Sequence, residues 1–155
     1  MSIGAVLKER KIRQLGLSPV LTVDGTTTLG STLQAMKAAG RGAALVTEKG
    51  KLAGIFTERD LITRVVGTNV DASTPIGQLM TSAPATLSPD ASVFDAIQLM
   101  DEHGYRNVPI VGDGGRLLGS LPVSKIVDFL AESFPQEVLA LPPRADQQFA
   151  AADGA

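Results

Sequence analysis

The sequence predicts an α/β (α+β) fold built from two tandem copies of one β-α-β-β-α unit. When the chain is shifted by 64 residues against itself, the apolar positions of the two halves coincide. One extra residue in the second copy, Gly115, then moves the offset to 65. A constant offset of this kind is typical of a structural repeat. The coinciding pairs include Thr22 with Thr86, Gln34 with Gln98, Met36 with Met100, Gly40 with Gly104, Gly50 with Gly114, Leu52 with Leu117 and Gly54 with Gly119.

Composition sets the class of protein. The chain has 155 residues, of which 44% are apolar, so it can bury a core without covalent staples. The absence of cysteine excludes disulfides, thiolate catalysis and Cys-based metal sites. A net charge of −2 favours no nucleic-acid partner. No apolar run approaches the ~18 residues that span a bilayer, and Lys8 interrupts any signal-peptide core. We expect no membrane association and a cytoplasmic location.

Both copies predict the same order of elements. In the second copy, Val93, Ala96, Ile97 and Met100 recur at the spacing of one helix face. Gly104, like Gly40, follows each first helix where a left-handed cap would end it. The predicted strands are 20–23, 43–47 and 52–56 in the first copy and 85–87, 107–111 and 117–121 in the second; the closing helices are 58–66 and 123–134.

The flanking segments predict the domain organisation. A short helix is expected before each copy, at Ile3–Leu15 and Ile76–Met80, with Gly67–Thr74 as the linker. The basic stretch Lys8–Arg13 is interpreted as the solvated side of the first of these helices. Since one unit cannot cover its own sheet, we expect the copies to pack sheet to sheet with pseudo-twofold symmetry. The predicted boundaries are 1–67, 68–134 and a tail at 135–155 that is mobile or needs a partner.

The segment Gly54–Asp60 carries the clearest chemical signal. It runs from a strand into a helix, where backbone N–H groups can meet phosphate. Thr57 offers a hydroxyl to phosphate, Asp60 offers a carboxylate to a ribose diol, and Gly54 would let a ligand approach the backbone. However, Thr followed three residues later by an acid is also a capping box, which needs no ligand. The two interpretations stay open together.

The double β-α-β-β-α repeat with Gly-x-x-Thr-x-x-Asp before the closing helix resembles the CBS-domain pair, or Bateman module. The likeness covers about residues 1–134. It implies a cleft for an adenine nucleotide (AMP, ADP or ATP) or for S-adenosylmethionine, in which the Asp holds ribose and the Thr holds phosphate. Carried over by position, it implies Ile55, Thr57, Arg59 and Asp60 from the first repeat and Ala85, Tyr105 and Arg106 from the second. Arg106 would be a second cation for phosphate, and Tyr105 would either stack on the base or cover the sheet edge.

The second repeat departs from that pattern. Pro122 stands where Thr57 does and Lys125 where Asp60 does. Proline has neither hydroxyl nor N–H, and lysine cannot accept hydrogen bonds from a diol. Gly42 occupies the position that matches Arg106. The sequence therefore predicts one competent nucleotide site and one degenerate site, which is empty or binds an anion through Lys125.

Three classes of function follow. The favoured hypothesis is a stand-alone regulatory module that binds an adenine nucleotide, requires no cofactor, forms a homodimer and signals to an unidentified protein target by conformational change. The second is a ligand-independent dimerisation scaffold. Enzymatic activity is disfavoured, because Glu58 is the sole nearby base candidate and no Ser/His/Asp set can be assembled. His103, the only histidine, has no His or Cys companion for a metal.

Overall fold

The computed structural model describes residues 2–134. The chain divides after Val123 into two units, each described by itself below. The predicted tail at 135–155 lies outside the described residues. The first unit contains α1 (Ile3–Glu9), β1 (Thr22–Asp24), α2 (Leu29–Ala39), β2 (Ala43–Glu48), β3 (Lys51–Thr57), α3 (Glu58–Asp60) with a π-helical continuation over Leu61–Val65, β4 (Thr81–Ser82), α4 (Val93–His103), β5 (Asn107–Val111) and β6 (Leu117–Pro122); α5 (Val123–Ser133) contributes all but its first residue to the second unit.

The strands form one four-stranded and one two-stranded sheet. The first has the order β1-β2-β3-β4, with β1 parallel to β2 and the other pairs antiparallel, and the second pairs β5 with β6. In the second repeat, single bridges from Leu87 to Ile110 and from Ser18 to Ser120 take the places of the β1–β2 and β3–β4 pairs. The predicted strand at 85–87 is thus reduced to one bridge, and the one expected at 20–23 begins two residues later.

Backbone hydrogen bonds repeat at an offset of 64 residues and relate the two repeats by a pseudo-twofold axis. The segment before each repeat is bonded to the start of the helical region in the other repeat. The predicted internal symmetry is therefore confirmed down to individual backbone groups. The matching bonds are Ile12 N–H to Ala91 O (2.9 Å) and Ile76 N–H to Thr27 O (2.7 Å), Arg13 N–H to Pro89 O and Gly77 N–H to Gly25 O (both 2.9 Å), and Val93 N–H to Arg10 O and Leu29 N–H to Thr74 O (both 2.8 Å).

This exchange corrects the predicted N-terminal helix. The helix ends at Glu9, the next two residues are extended, and Ile12–Gln14 forms a separate 3₁₀ turn. The break occurs because backbone groups there bond to the second repeat instead of continuing the helix. The basic side chains also reach that repeat: Lys8 Nζ lies 4.9 Å from the centre of the Phe94 ring. Likewise, the helix expected at Ile76–Met80 is a 3₁₀ turn over Ile76–Gln78.

Helices α2 and α4 begin and end where their sequence signals predict. Thr28 and Ser92 cap their first turns, and Gly40 and Gly104 end them in the left-handed conformation at φ 64° and 70°. The core repeats in pairs like the backbone. Buried counterparts are Leu29 and Val93, Met36 and Met100, Ala44 and Val108, Val46 and Ile110, Phe56 and Leu121, and Ile76 and Ile12.

In the second unit, α5 forms as the spacing predicts. Ile126 is buried, whereas Val127 on the same helix is 59% exposed. Among the helices of residues 2–134, none combines the length and the apolarity needed to cross a bilayer.

Candidate functional site

A cavity of about 520 Å³ opens where the two repeats meet within the first unit. It gathers five of the seven residues predicted for the nucleotide site: Ile55, Thr57, Arg59, Tyr105 and Arg106. We call it the first cleft. Asp60 and Ala85, the other two, do not line it.

Two strand–helix junctions form the walls of the first cleft. On one side β3 ends at Thr57, which pairs with Ala43 at the start of β2, and the Glu58 N–H donates to the Gly42 carbonyl at 3.1 Å. On the other side α4 ends at His103, and the chain turns before β5 begins at Asn107. The same turn geometry that ends α4 therefore brings Tyr105 and Arg106 to the cleft.

Thr57 and Asp60 form the capping box that the sequence allowed. The Thr57 N–H donates to Asp60 Oδ2 at 2.9 Å, and the Asp60 N–H donates to Thr57 Oγ1 at 3.3 Å. The Thr57 hydroxyl also donates to Asp60 Oδ2, at 3.1 Å. The capping interpretation is confirmed, while the predicted contact between Asp60 and ribose stays a prediction.

The other carboxylate oxygen of Asp60 ties the site to β4. The Thr81 hydroxyl donates to Asp60 Oδ1 at 2.9 Å, and Arg64 Nε lies 3.5 Å from the same oxygen. Arg64 also donates through Nη1 to the Met80 carbonyl at 2.9 Å. The Asp60 side chain is only 10% exposed, so these groups provide most of its solvation.

Tyr105 connects the first cleft to Ala85, which lies a few residues after β4. Its hydroxyl accepts a hydrogen bond from the Ala85 N–H at 3.3 Å, which gives Ala85 a supporting position behind the cleft. The His103 ring lies 5.3 Å from the Tyr105 ring, centre to centre, at a tilt of 34°. Both rings line the cavity.

The charged groups of the first cleft are available to a ligand. Arg59, Arg106 and Glu58 are exposed, and within residues 2–134 their side chains form no ion pair or hydrogen bond. Unpaired guanidinium groups are well suited to phosphate, which they bind through two parallel N–H donors. In the described part of the chain, no cluster of three or more His, Asp or Glu side chains could hold a metal ion.

Gly54 has a different role from the one expected. A Cβ placed there would lie 2.8 Å from the Thr81 carbonyl oxygen and would also meet the Met80 sulfur. The close approach that requires glycine is therefore that of β4. In the second repeat, a Cβ placed at Gly119 would likewise meet the Ser18 carbonyl oxygen and the Leu17 side chain.

Six further residues line the first cleft without having been predicted for it, and two of them, Glu58 and His103, carry titratable side chains. The sequence suggests Glu58 only as a base and gives His103 no role, since it has no companion for a metal, yet both residues line the cavity. The signal that could have found them is proximity in sequence to predicted site residues: Glu58 follows Thr57 directly, and His103 precedes Tyr105 by two positions.

A smaller cavity of about 100 Å³ lies between the two hairpins. Counterpart residues line it from both repeats, namely Ala43 with Asn107 and Ile55 with Ser120, so it lies near the pseudo-twofold axis. Pro122 is the last residue of β6 and Lys125 lies on α5. The loss of ligand-reading groups from the second repeat stays a prediction.

The model of the CBS domain family matches the chain twice, at residues 12–67 and 76–132. The chain belongs to the CBS-domain family. Both matched ranges contain the helix and hairpin that build the repeat, as the resemblance in the sequence implied.

Curated relatives of this CBS pair occur in distant organisms. It is 38% identical over 117 residues to the meiotically up-regulated gene 70 protein of Schizosaccharomyces pombe, covering 68% of this chain and 16% of that one. It is 36% identical over 100 residues to the CBS domain-containing protein YhcV of Bacillus subtilis, covering 64% and 71%. The chain thus spans less than a quarter of the length of several curated relatives.

Among solved structures, the fold matches the CBS domain protein PAE2072 from Pyrobaculum aerophilum, determined in complex with AMP. The TM-score is 0.66 at 24% identity, over 79% of this chain and 98% of that chain. At this identity the likeness establishes the shared fold.

Proposed function

We propose that this CBS pair is a regulatory module that binds an adenine nucleotide in the first cleft. The observation that carries the proposal is the cavity of about 520 Å³ that brings Thr57, Arg59, Tyr105 and Arg106 together from both repeats. Pockets for small ligands and cofactors typically have volumes of ~300–1,000 Å³.

Each wall of the first cleft suits one part of a nucleotide. Ile55 and Tyr105 offer an apolar side chain and an aromatic ring to the base. Arg59 and Arg106 offer guanidinium groups to phosphate, and Thr57 offers a hydroxyl. A ribose hydroxyl at Asp60 would compete with the Thr81 and Thr57 hydroxyls that the carboxylate now accepts. The AMP complex of the Pyrobaculum protein, which shares this fold, supports an adenine nucleotide as the ligand.

The connection between the repeats supports a conformational signal. Segment 81–85 is held at one end by the bond from Thr81 to Asp60 and at the other by the bond from Ala85 to Tyr105. A ligand that engaged Asp60 and Tyr105 would change both attachments at once. Between them Ala83 has a positive φ of 50°, which is strained for a residue with a Cβ. We propose that this segment transmits occupancy to an unidentified protein target.

Titration calorimetry with AMP, ADP, ATP and S-adenosylmethionine tests the proposal. A charge-assisted hydrogen bond contributes ~1.5–3 kcal/mol, so Arg106→Gln is expected to weaken binding by about ten- to over a hundredfold. Arg116→Gln serves as the matched control, because Arg116 is exposed and does not line the first cleft. Equal affinities of wild type and Arg106→Gln, or no binding of any of the four compounds, would reject the site.

A ligand-independent scaffold is the second candidate, and two observations favour it. Asp60 is already satisfied by protein donors, and Ile62 and Val66 are 67% and 65% exposed on the π-helical continuation of α3 and its C-terminal end. Apolar residues exposed in this way are suited to a homodimer interface. Light scattering of wild type and the Ile62→Lys, Val66→Lys double variant tests this: a dimer that persists unchanged in the variant would exclude that surface.

We infer a regulatory rather than a catalytic role. Glu58 is the acid that lines the first cleft, and it would need a metal or a second base for phosphate chemistry. Steady ATP hydrolysis by pure protein, lost in Glu58→Gln, would overturn this inference.

A further inference from the structure

Glu58 places a negative charge in a cleft that is proposed to hold phosphate. It lines the first cleft together with Arg59 and Arg106, and its neighbours in sequence, Thr57 and Arg59, line the same wall. Its carboxylate is exposed and has no partner within the described residues. A structural role as an ion-pair partner is therefore absent in that part of the chain.

Gly42 leaves room for the Glu58 carboxylate at the wall of the first cleft. The Glu58 N–H donates to the Gly42 carbonyl at 3.1 Å. A Cβ at position 42 would collide with Glu58 Oε1, so the missing side chain provides the space that the carboxylate occupies. Gly42 is the counterpart of Arg106 at the repeat offset of 64. The repeat thus has a cation on one side of the cleft and, at the equivalent place on the other, an acid lying against a glycine.

The formal charge of the first cleft suits a ligand with two negative charges better than a ligand with four. Arg59 and Arg106 contribute two positive charges and Glu58 one negative charge, while the Asp60 carboxylate is buried and already bonded. A nucleoside monophosphate carries about two negative charges and a triphosphate about four. The first two phosphate charges are therefore balanced by the two arginines. Each further phosphate charge has no arginine to balance it and is repelled by Glu58.

We propose that Glu58 is a specificity-determining residue that makes the first cleft select adenosine monophosphate over adenosine triphosphate. The inference rests on the proposed nucleotide site and adds to it the number of phosphates. Glu58 acts by repelling the additional phosphates. AMP and ATP have the same base and sugar, so this repulsion is what distinguishes them.

Titration calorimetry of AMP and ATP against Glu58→Gln tests the proposal, in low salt and with a chelator to remove Mg²⁺. Charges near a protein surface change binding constants several-fold each, so the ATP-to-AMP affinity ratio is expected to rise about tenfold. Glu58→Lys should raise the ratio further. Glu9→Gln, which removes an exposed acid on α1 outside the cleft, should leave it unchanged.

Ionic strength gives a readout that a structural role of Glu58 would not move. At 1 M salt the screening length falls to ~3 Å, so the ratios of wild type and Glu58→Gln should converge. An unchanged ratio at low salt, with wild type still binding AMP, overturns the role of Glu58 and leaves the nucleotide site intact. Weaker binding of Mg²⁺-ATP by Glu58→Gln would also overturn it, since the carboxylate would then be a metal ligand. Failure of wild type to bind either nucleotide rejects both the site and the inference.

Discussion

Asp60 is expected to stabilise the fold through contacts that an ordinary helix cap lacks. Asp60→Ala removes the acceptor for the Thr57 N–H, the Thr57 hydroxyl and the Thr81 hydroxyl, at 2.9, 3.1 and 2.9 Å. The chain offers a matched control in Asp95, which forms the same capping box with Ser92 at the start of α4. Asp95 is exposed and, among residues 2–134, its side chain accepts only from the Ser92 N–H, at 3.0 Å.

The magnitudes follow from this difference. Losing an exposed capping residue costs about 0.5–1 kcal/mol, which is the expectation for Asp95→Ala. Asp60→Ala also leaves the Thr81 hydroxyl without its buried, charged acceptor, which adds about 1.5–3 kcal/mol. We therefore expect a loss of about 2–4 kcal/mol in the free energy of unfolding. For a chain of this size that corresponds to a melting temperature lower by about 5–15 °C.

Urea denaturation of the two variants, with thermal melts as a second measure, gives the comparison directly. Thr81→Val removes only the hydroxyl, and the double variant with Asp60→Ala should show a coupling of about 1–2 kcal/mol. Losses for Asp60→Ala and Asp95→Ala that agree within about 0.5 kcal/mol would refute the reasoning. They would mean that the bond to β4 and the burial of Asp60 contribute nothing.

Two further predictions concern backbone packing and acid stability. Gly54→Ala should destabilise the protein by about 1–3 kcal/mol, since the methyl group would meet the Met80 side chain and the Thr81 carbonyl; Gly4→Ala on α1, where nothing lies within 4 Å, should be neutral or slightly stabilising by the same urea assay. The Ser73 hydroxyl, and then its N–H, lower the pKa of Asp71. The stability contributed by the ionised Asp71 carboxylate should therefore be complete above the ordinary Asp pKa and lost as the pH falls through the lowered pKa of the folded protein. An NMR titration that gives Asp71 an ordinary pKa would contradict this.

Local patterns made much of the fold predictable. The spacing on α4 and the glycines at 40 and 104 place each helix within a residue or two of its observed end. The hairpin strands of both repeats also lie where alternation and turns indicated, and the repeat offset alone implied the symmetry.

What the sequence could not reveal depends on contacts between distant residues. The break after Glu9 arises because Arg10, Ile12 and Arg13 bond to residues 89–93, which lie 76 to 83 positions away in the sequence. The bond from Thr81 to Asp60 likewise joins positions 21 residues apart. No local preference of Arg10 or Thr81 reports such a partner. The cleft was therefore predictable from its motif residues, whereas the hydrogen bond from Thr81 of β4 to the Asp60 carboxylate was not.

The location of AMP in a crystal of the complex tests the central claim most directly. We expect the base beside Ile55 and Tyr105 and the phosphate between Arg59 and Arg106. A nucleotide found instead in the separate groove lined by Arg13 and Arg116 on the second repeat, or a saturated crystal with the first cleft empty, would contradict the account.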